Sequence, residues 1–517
     1  MYWANSPRCA VKHVWTFSEQ RDLGVYTGVF AREARLAWLR AAAKENAHVK
    51  RLWPLVFLFV CGFARAADVN GAELPLWWGV PFAGILLSIA IAPLVAPKLW
   101  HDHYGKIAAA WALAFLVPFG IGFGGEAAIA SVVHAALAEY IPFIALIAAL
   151  YVVAGGICIR GNIHGTPKLN TGLIALGTGL ASIMGTTGAA MLLIRPLLRA
   201  NEARRHRAHV VVFFIFLVAN AGGALTPLGD PPLFLGFLQG VDFFWTAKFL
   251  WRQTLTMWVL LLAVFFVVDS YYYHTGKEEL PNITDATPDD AGPLRFEGNI
   301  NFVLLGGILG LVLMSGLWKP GIVFHVMGTE VLLQNVVRDV GLVLIALLSL
   351  WLTPGSARSG NEFNWEPILE VGKLFAGIFI TIGPVIAMLK AGVDGPFAAI
   401  VHLVNDGTGQ PNNAMYFWAT GLLSSFLDNA PTYLVFFNTA GGDAQMLMSE
   451  GAATLAAISA AAVFMGANTY IGNAPNLMVK AIAESRGLQM PSFFGYMLWS
   501  VGILVPIFVL MTFVFFR

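Results

Sequence analysis

Ser182-Ile-Met-Gly-Thr-Thr-Gly188 and Thr226-Pro-Leu-Gly-Asp-Pro-Pro232 reappear downstream in altered form. Their counterparts are Ser425-Phe-Leu-Asp-Asn-Ala-Pro431 and Thr469-Tyr-Ile-Gly-Asn-Ala-Pro475. The displacement is 243 residues both times (425 − 182 and 469 − 226). Each stretch puts Gly, Pro, Asn, Asp and Thr into strongly apolar surroundings, where a helix should otherwise run unbroken. Matching interruptions in two halves of a hydrophobic chain point to the binding site of a secondary transporter.

The surroundings are those of a membrane protein. Of 517 residues, 57% are hydrophobic and 12% charged, about half the charge of an ordinary soluble domain. The net charge of +1 is uninformative by itself; the expected partner is the lipid bilayer, with no nucleic acid. Of three cysteines, Cys9 and Cys61 precede the apolar core and Cys158 stands alone, which leaves no disulfide framework or thiolate metal site. Nothing resembles a phosphate-binding loop, a zinc spacing or a nucleophile triad, so no enzyme and no cofactor is expected.

Residues 1–48 contain no apolar span and read as a non-native or disordered extension. A basic start at Lys50-Arg51, a short apolar stretch over 53–63 and Ala64-Arg65-Ala66 make 49–66 a signal peptide. Beyond it, apolar runs predict spans at 75–97, 107–124, 140–159, 208–240 and 249–269, then at 299–317, 338–353, 366–390, 453–484 and 492–515. The interrupted segments 171–198 and 413–440 predict re-entrant hairpins. Segments 125–138 and 396–405 look amphipathic and are expected along the outer interface. The fold class is therefore an all-α polytopic membrane protein of two repeats, 67–270 and 299–517, joined by a polar cytoplasmic linker over 271–298. Each repeat has about five transmembrane helices plus one hairpin, with broken helices at the centre.

Loop charge sets the orientation. Lys98, His101, His103 and Lys106, then Arg160 and Lys168, then Arg199, Arg204, Arg205 and Arg207 place both flanks of the first hairpin inside. Residues 391–452 contain no Lys or Arg, which places both flanks of the second hairpin outside. The repeats are thus expected to be inverted, in a bacterial inner membrane.

Broken helices in a bilayer are tolerated only when buried in protein or lining a wet cavity. They offer half-helix ends to a solute: N-terminal dipoles for anions, carbonyls and carboxylates for cations. Asp230 and Asp428 stand out, because a carboxylate at mid-membrane costs about 2.5–3.5 kcal/mol on insertion scales. Both also have a plain structural reading: Asp230 precedes Pro231-Pro232 as an N-cap would, Asn473 repeats the pattern, and Asp428 can cap the second hairpin arm. Thr186, Thr187, Thr226, Asn429, Thr432, Asn468 and Thr469 add neutral oxygens suited to a hard cation, and Gly229 and Gly472 complete the breaks. Sodium is expected at Asp230, Asp428, Asn429 and Asn473. Arg195 and Arg199, at the root of the first hairpin, read as solvated anchors.

These motifs resemble the ion-transporter superfamily, which includes citrate and dicarboxylate carriers, arsenite permeases and sodium/proton antiporters of the NhaD kind. Ser182–Arg195 and Leu427-Asp-Asn-Ala-Pro-Thr432 are similar to its two hairpin motifs. Thr226–Pro232 and Thr469–Asn476 are similar to its unwound-helix signatures. The resemblance implies a homodimer working by alternating access on a small ion or organic anion. Dicarboxylate carriers typically carry Ser-Asn-Thr at both tips; here the tips read Gly185-Thr-Thr and Asp428-Asn-Ala. A tip carboxylate repels an organic anion unless a cation intervenes. That favours exchange of sodium for protons, with sodium-coupled citrate or dicarboxylate symport as the alternative.

Overall fold

The computed structural model describes residues 70–161, 164–275 and 295–517. The expected leader at 49–66, the preceding extension and most of the 271–298 linker lie outside them.

Helix α1 (Val80–Val95) leads almost directly into α2 (Pro97–Phe123), and α3 (Gly125–Ala154) follows after Gly124. Strand β1 (Cys158–Arg160) then leads to α4 (Pro167–Met184) and α5 (Thr186–Ala200). Next come α6 (Ala208–Leu217), α7 (Pro231–Leu238) and α8 (Trp245–Thr275). The second half has β2 (Arg295–Glu297), α9 (Ile300–Leu317), β3 (Val323–Val326), β4 (Thr329–Leu332), α10 (Leu333–Leu352) and α11 (Gly355–Gly360). It continues with α12 (Glu366–Lys390), α13 (Ala398–Val404), α14 (Asn413–Phe426), α15 (Asn429–Thr439) and α16 (Ala444–Met448). It ends with α17 (Ala452–Met465), α18 (Ala474–Ser485) and α19 (Phe493–Phe515).

Among the described residues, nine helices are long and apolar enough to cross a membrane, and a shorter tenth covers Ala452–Asn468. Every predicted span has a helical counterpart. The residues of Ala208–Leu225 are mostly enclosed by protein (89%), whereas only 17% of Leu333–Leu352 is. A helix apolar on all sides belongs in a core. The outer helices instead turn residues such as Ile121, Leu347, Trp351 and Leu498 outward, an apolar surface that suits acyl chains and not water. The protein is an all-α polytopic membrane protein.

Three boundaries differ from the sequence reading. The polar run 98–106 is helical rather than a loop: Lys98, His101, Asp102, His103 and Lys106 are all exposed, so α2 carries them on its outer face. Residues 125–138 do not form a separate amphipathic helix. They continue into the third span through a π-helical turn at Ala135–Tyr140, giving 30 residues without a stop. Two small antiparallel pairs interrupt the all-helical pattern. β1 pairs with β2, Cys158 opposite Glu297, and Arg160 Nε meets Glu297 Oε1 at 2.8 Å. β3 and β4 form a hairpin around Met327-Gly328, both at positive φ as a tight two-residue turn needs.

All four expected breaks are present. Gly185, at φ 81°, separates α4 from α5. Leu427-Asp428 separates α14 from α15. After α6 the chain makes a 3₁₀ turn at Ala221–Leu225 before α7 starts at Pro231; after α17 it does the same at Gly466–Asn468 before α18 starts at Ala474. Hydrogen bonds repeat at the shift of 243. Ser182 Oγ donates to the Gly222 carbonyl and Ser425 Oγ to that of Met465. Thr226 Oγ1 donates to the Ser182 carbonyl, and Thr469 Oγ1 to that of Ser425. The Leu228 and Ile471 amides then donate to those two hydroxyls, each at 3.2 Å. Thr226 and Thr469 thus staple each hairpin tip to its unwound segment. The root of the first hairpin is held by buried Asp269, which meets Arg204 and His209 at 2.7 Å and accepts from Asn170 at 3.0 Å.

Candidate functional site

The breaks converge on Asp230, which is 1% exposed. Its Oδ1 accepts from Thr186 Oγ1 and from Asn473 Nδ2, both at 3.1 Å, and its Oδ2 accepts from Asn429 Nδ2 at 2.6 Å. The donors come from the first hairpin, the second break and the second hairpin. In the repeat register they form two equivalent pairs, Thr186 with Asn429 (186 + 243) and Asp230 with Asn473 (230 + 243). One equivalent site in the pair of halves carries the carboxylate; the other carries an amide.

Asp230 occupies the N-cap position of α7, yet its side chain makes no cap hydrogen bond, and neither does that of Asn473 before α18. The structural reading of Asp230 as a simple cap therefore fails. Its carboxylate instead faces partners from the rest of the centre. Thr186 opens α5 and Asn429 opens α15, so four helix N-termini surround the one carboxylate. Their partial positive charge favours an anion there, which together with three neutral donors explains a buried carboxylate without a cationic partner.

Asp428 behaves differently. Its Oδ1 accepts from the Ala430 amide at 3.0 Å, the capping role, and its side chain also lines a cavity of about 470 Å³. Asparagine caps about as well as aspartate. Asp428→Asn should therefore keep the melting temperature close to wild type, so that any change in ion dependence reports the charge alone. A large thermal destabilisation would show that the carboxylate is structural.

Of the other expected residues, Thr187 lines the same cavity. Thr432 donates to the Asp428 carbonyl at 2.9 Å, one turn back in its own helix, whereas Thr226 and Thr469 bond across to the hairpin tips. Asn468 donates to Ser425 Oγ at 2.8 Å while its buried Oδ1 has no partner; Asn429 Oδ1 is also buried and unpartnered. Gly229 and Gly472 are needed for close approach: the Gly229 carbonyl accepts from the Thr186 amide at 2.8 Å. Among the described residues no three His, Cys, Asp or Glu side chains are placed to hold a metal ion, so a cation here would draw on neutral oxygens beside Asp230.

Residues beyond the expected set also belong to the centre. Asn220 donates to Asn476 Oδ1 at 2.7 Å, and Asn476 donates to the carbonyls of Gly466 and Thr469 at 2.9 Å, which ties the two unwound segments together. Both asparagines stand inside the break motifs, which was the available signal. Arg195 corrects the sequence reading. It is no solvated anchor: it is 4% exposed and lines the cavity with Tyr151, Asp428 and Pro475. Its Nη2 contacts Glu362 at 3.4 Å, while Nε and Nη1 have no partner. At the cavity rim, partial burial tends to raise the Glu362 carboxyl, but Arg195 and Arg486 outweigh it and hold it below the usual carboxylate range.

Apolar outer helices around a buried polar centre, with a cavity leading to it, define a multi-pass membrane protein with a central solute site. The chain belongs to a family described as "Putative citrate transport", which matches residues 71–516. No curated protein matches it. Membership and fold together point to a membrane transporter rather than an enzyme.

Proposed function

We propose that this transporter carries a citrate-class polycarboxylate, coupled to sodium, by alternating access between two inverted halves. The family description supports citrate as the substrate. The observation that carries the reading is Arg195, a buried guanidinium in the cavity wall with two nitrogens unpartnered. A buried cation held by a single long contact is costly unless a fuller counter-charge arrives, and arginine matches a carboxylate with two parallel N–H groups. The N-termini of α5, α15 and α18 add attraction for anions at the inner end. The Asp230 carboxylate, with the free oxygen of Asn429 near it, is the proposed sodium site, and Asp428 at the tip shares the cation with the anion. With the loops oriented by their positive charge, the cavity rim at Glu362, Asn364 and Glu366 faces the cytoplasm.

Sodium-driven uptake of labelled citrate into proteoliposomes tests this directly. Arg195→Gln should lower uptake at sub-saturating citrate by about 100-fold, the equivalent of about 3 kcal/mol for a buried charge-assisted contact. Wild-type uptake in that variant would remove the basis of the anion assignment. Sodium/proton exchange at Asp230 is the second reading, favoured by a carboxylate that only neutral donors hold. Sodium-driven proton movement with no citrate accumulation would put it first.

A further inference from the structure

Glu362 lies on the loop between α11 and α12 with φ at 47°, a left-handed conformation uncommon for a residue with a side chain. Its carboxylate bridges two arginines. Oε1 accepts from Arg486 Nη2 at 2.6 Å, and Oε2 lies 3.4 Å from Arg195 Nη2. Arg195 is on α5 and Arg486 directly follows α18, two helices that pack together and whose N-terminal ends abut Thr186 and Asn473. The two arginines are unequal: Arg195 is buried, whereas the Arg486 side chain is 32% exposed and that of Glu362 51%.

We propose that the space between Arg195 and Arg486 is a carboxylate subsite for the transported anion, and that Glu362 fills it as an internal competitor until the anion arrives. The inference rests on the citrate reading above. The long contact to Arg195 engages a single nitrogen of a buried fork, and a substrate carboxylate can engage two. Exchange of one carboxylate for another keeps the guanidinium groups neutralised throughout. A displaced Glu362 returns to water at little cost, because a half-exposed ion pair contributes little. Its backbone is also free to leave the left-handed region, where non-glycine residues are strained. Acidic rim residues on neighbouring elements, Glu366 among them, repel an anion; Glu362 is the one that an anion can replace. The subsite holds one carboxylate, and the helix N-termini near Asp428 and Thr187 lie further in. The ligand class is therefore an anion with at least two carboxylates.

The test is citrate affinity, by titration calorimetry on purified full-length protein, for wild type, Glu362→Gln, Arg195→Gln and the double variant. Glu362→Asn, which tolerates left-handed backbone better, serves as a second neutral variant. Removing the competitor should tighten citrate binding about fivefold, as expected for the loss of one partly exposed ion pair. The gain should vanish when Arg195 is already Gln, and acetate should not compete. Citrate binding by wild type with no gain in either neutral variant, or an equal gain without Arg195, overturns the subsite alone. If no variant binds citrate, the subsite and the citrate reading fall together.

Discussion

Asp230→Asn is expected to fold normally and to lose coupled transport. The fold survives because the site can rearrange around the new amide. Asp230 Oδ2 accepts from Asn429 Nδ2 at 2.6 Å, so an amide nitrogen in its place would face another donor. Asn429 can turn over, since its Oδ1 has no partner to lose. The remaining oxygen of the new side chain still accepts from Thr186 and Asn473. Neutralising the group also removes the cost of burying a charge, so stability should stay within about 1 kcal/mol of wild type, on the scale of one rearranged hydrogen bond. Transport depends on the charge itself. Loss of a buried cation–carboxylate contact of about 3 kcal/mol or more corresponds to at least a 100-fold fall in sodium-driven flux. Sodium-dependent thermal stabilisation should disappear with it. A variant that keeps wild-type flux and sodium stabilisation would show that Asp230 is a bystander. A variant that misfolds would refute the exchange of partners at Asn429.

The break motifs were legible because composition alone marks them: Gly185, Gly229, Asp428 and Gly472 interrupt runs that would otherwise be uniform helices. The shift of 243 residues also identified equivalent positions, and the staples at Thr226 and Thr469 follow that register. Individual roles were less legible. Capping and ligand binding use the same residue types in the same local pattern. Only the partners separate Asp230, which bonds three distant side chains, from Asp428, which bonds the amide two residues ahead. Arg195 was misread for a related reason. An arginine near a helix end beside further arginines has the local pattern of an anchor. Its burial comes from tertiary neighbours, including Glu362 at a separation of 167 residues. The β1–β2 pair was out of reach because its strands are three residues each and joined only by tertiary proximity. The exposed face of α2 hid a helix inside a charged run, since a helix bordering water carries such residues freely.

Gly229→Ala and Gly472→Ala should each be strongly destabilising. A Cβ at Gly229 would fall inside the contact distance of the Gly223 carbonyl oxygen, with the Gly223 carbonyl carbon at 2.7 Å and its Cα at 2.8 Å. At Gly472 it would lie 2.6 Å from the Gly466 carbonyl oxygen and 2.7 Å from that of Ser424. The opposing atoms are backbone, so no rotamer change relieves the clash, and the unwound segment must move away from its own 3₁₀ turn. At Gly229 that movement also stretches the bond from the Thr186 amide to the Gly229 carbonyl, 2.8 Å in the native protein, and displaces Asp230, the next residue. Overpacking costs about 1–3 kcal/mol, and a buried backbone donor left unpaired costs about 1–3 kcal/mol more. Gly472→Ala should therefore lose about 2 kcal/mol and Gly229→Ala about 4 kcal/mol, with sodium stabilisation abolished for Gly229→Ala. Gly310→Ala is the control. Nothing lies within 4 Å of its Cβ position on α9, and alanine is favoured over glycine in a helix by about 1 kcal/mol, so this variant should match or exceed wild type. Melting curves of the purified proteins separate the cases. Equal stability of Gly229→Ala, Gly472→Ala and Gly310→Ala would mean that the two breaks are not closely packed against their turns, and the geometry that holds Asp230 would have no support.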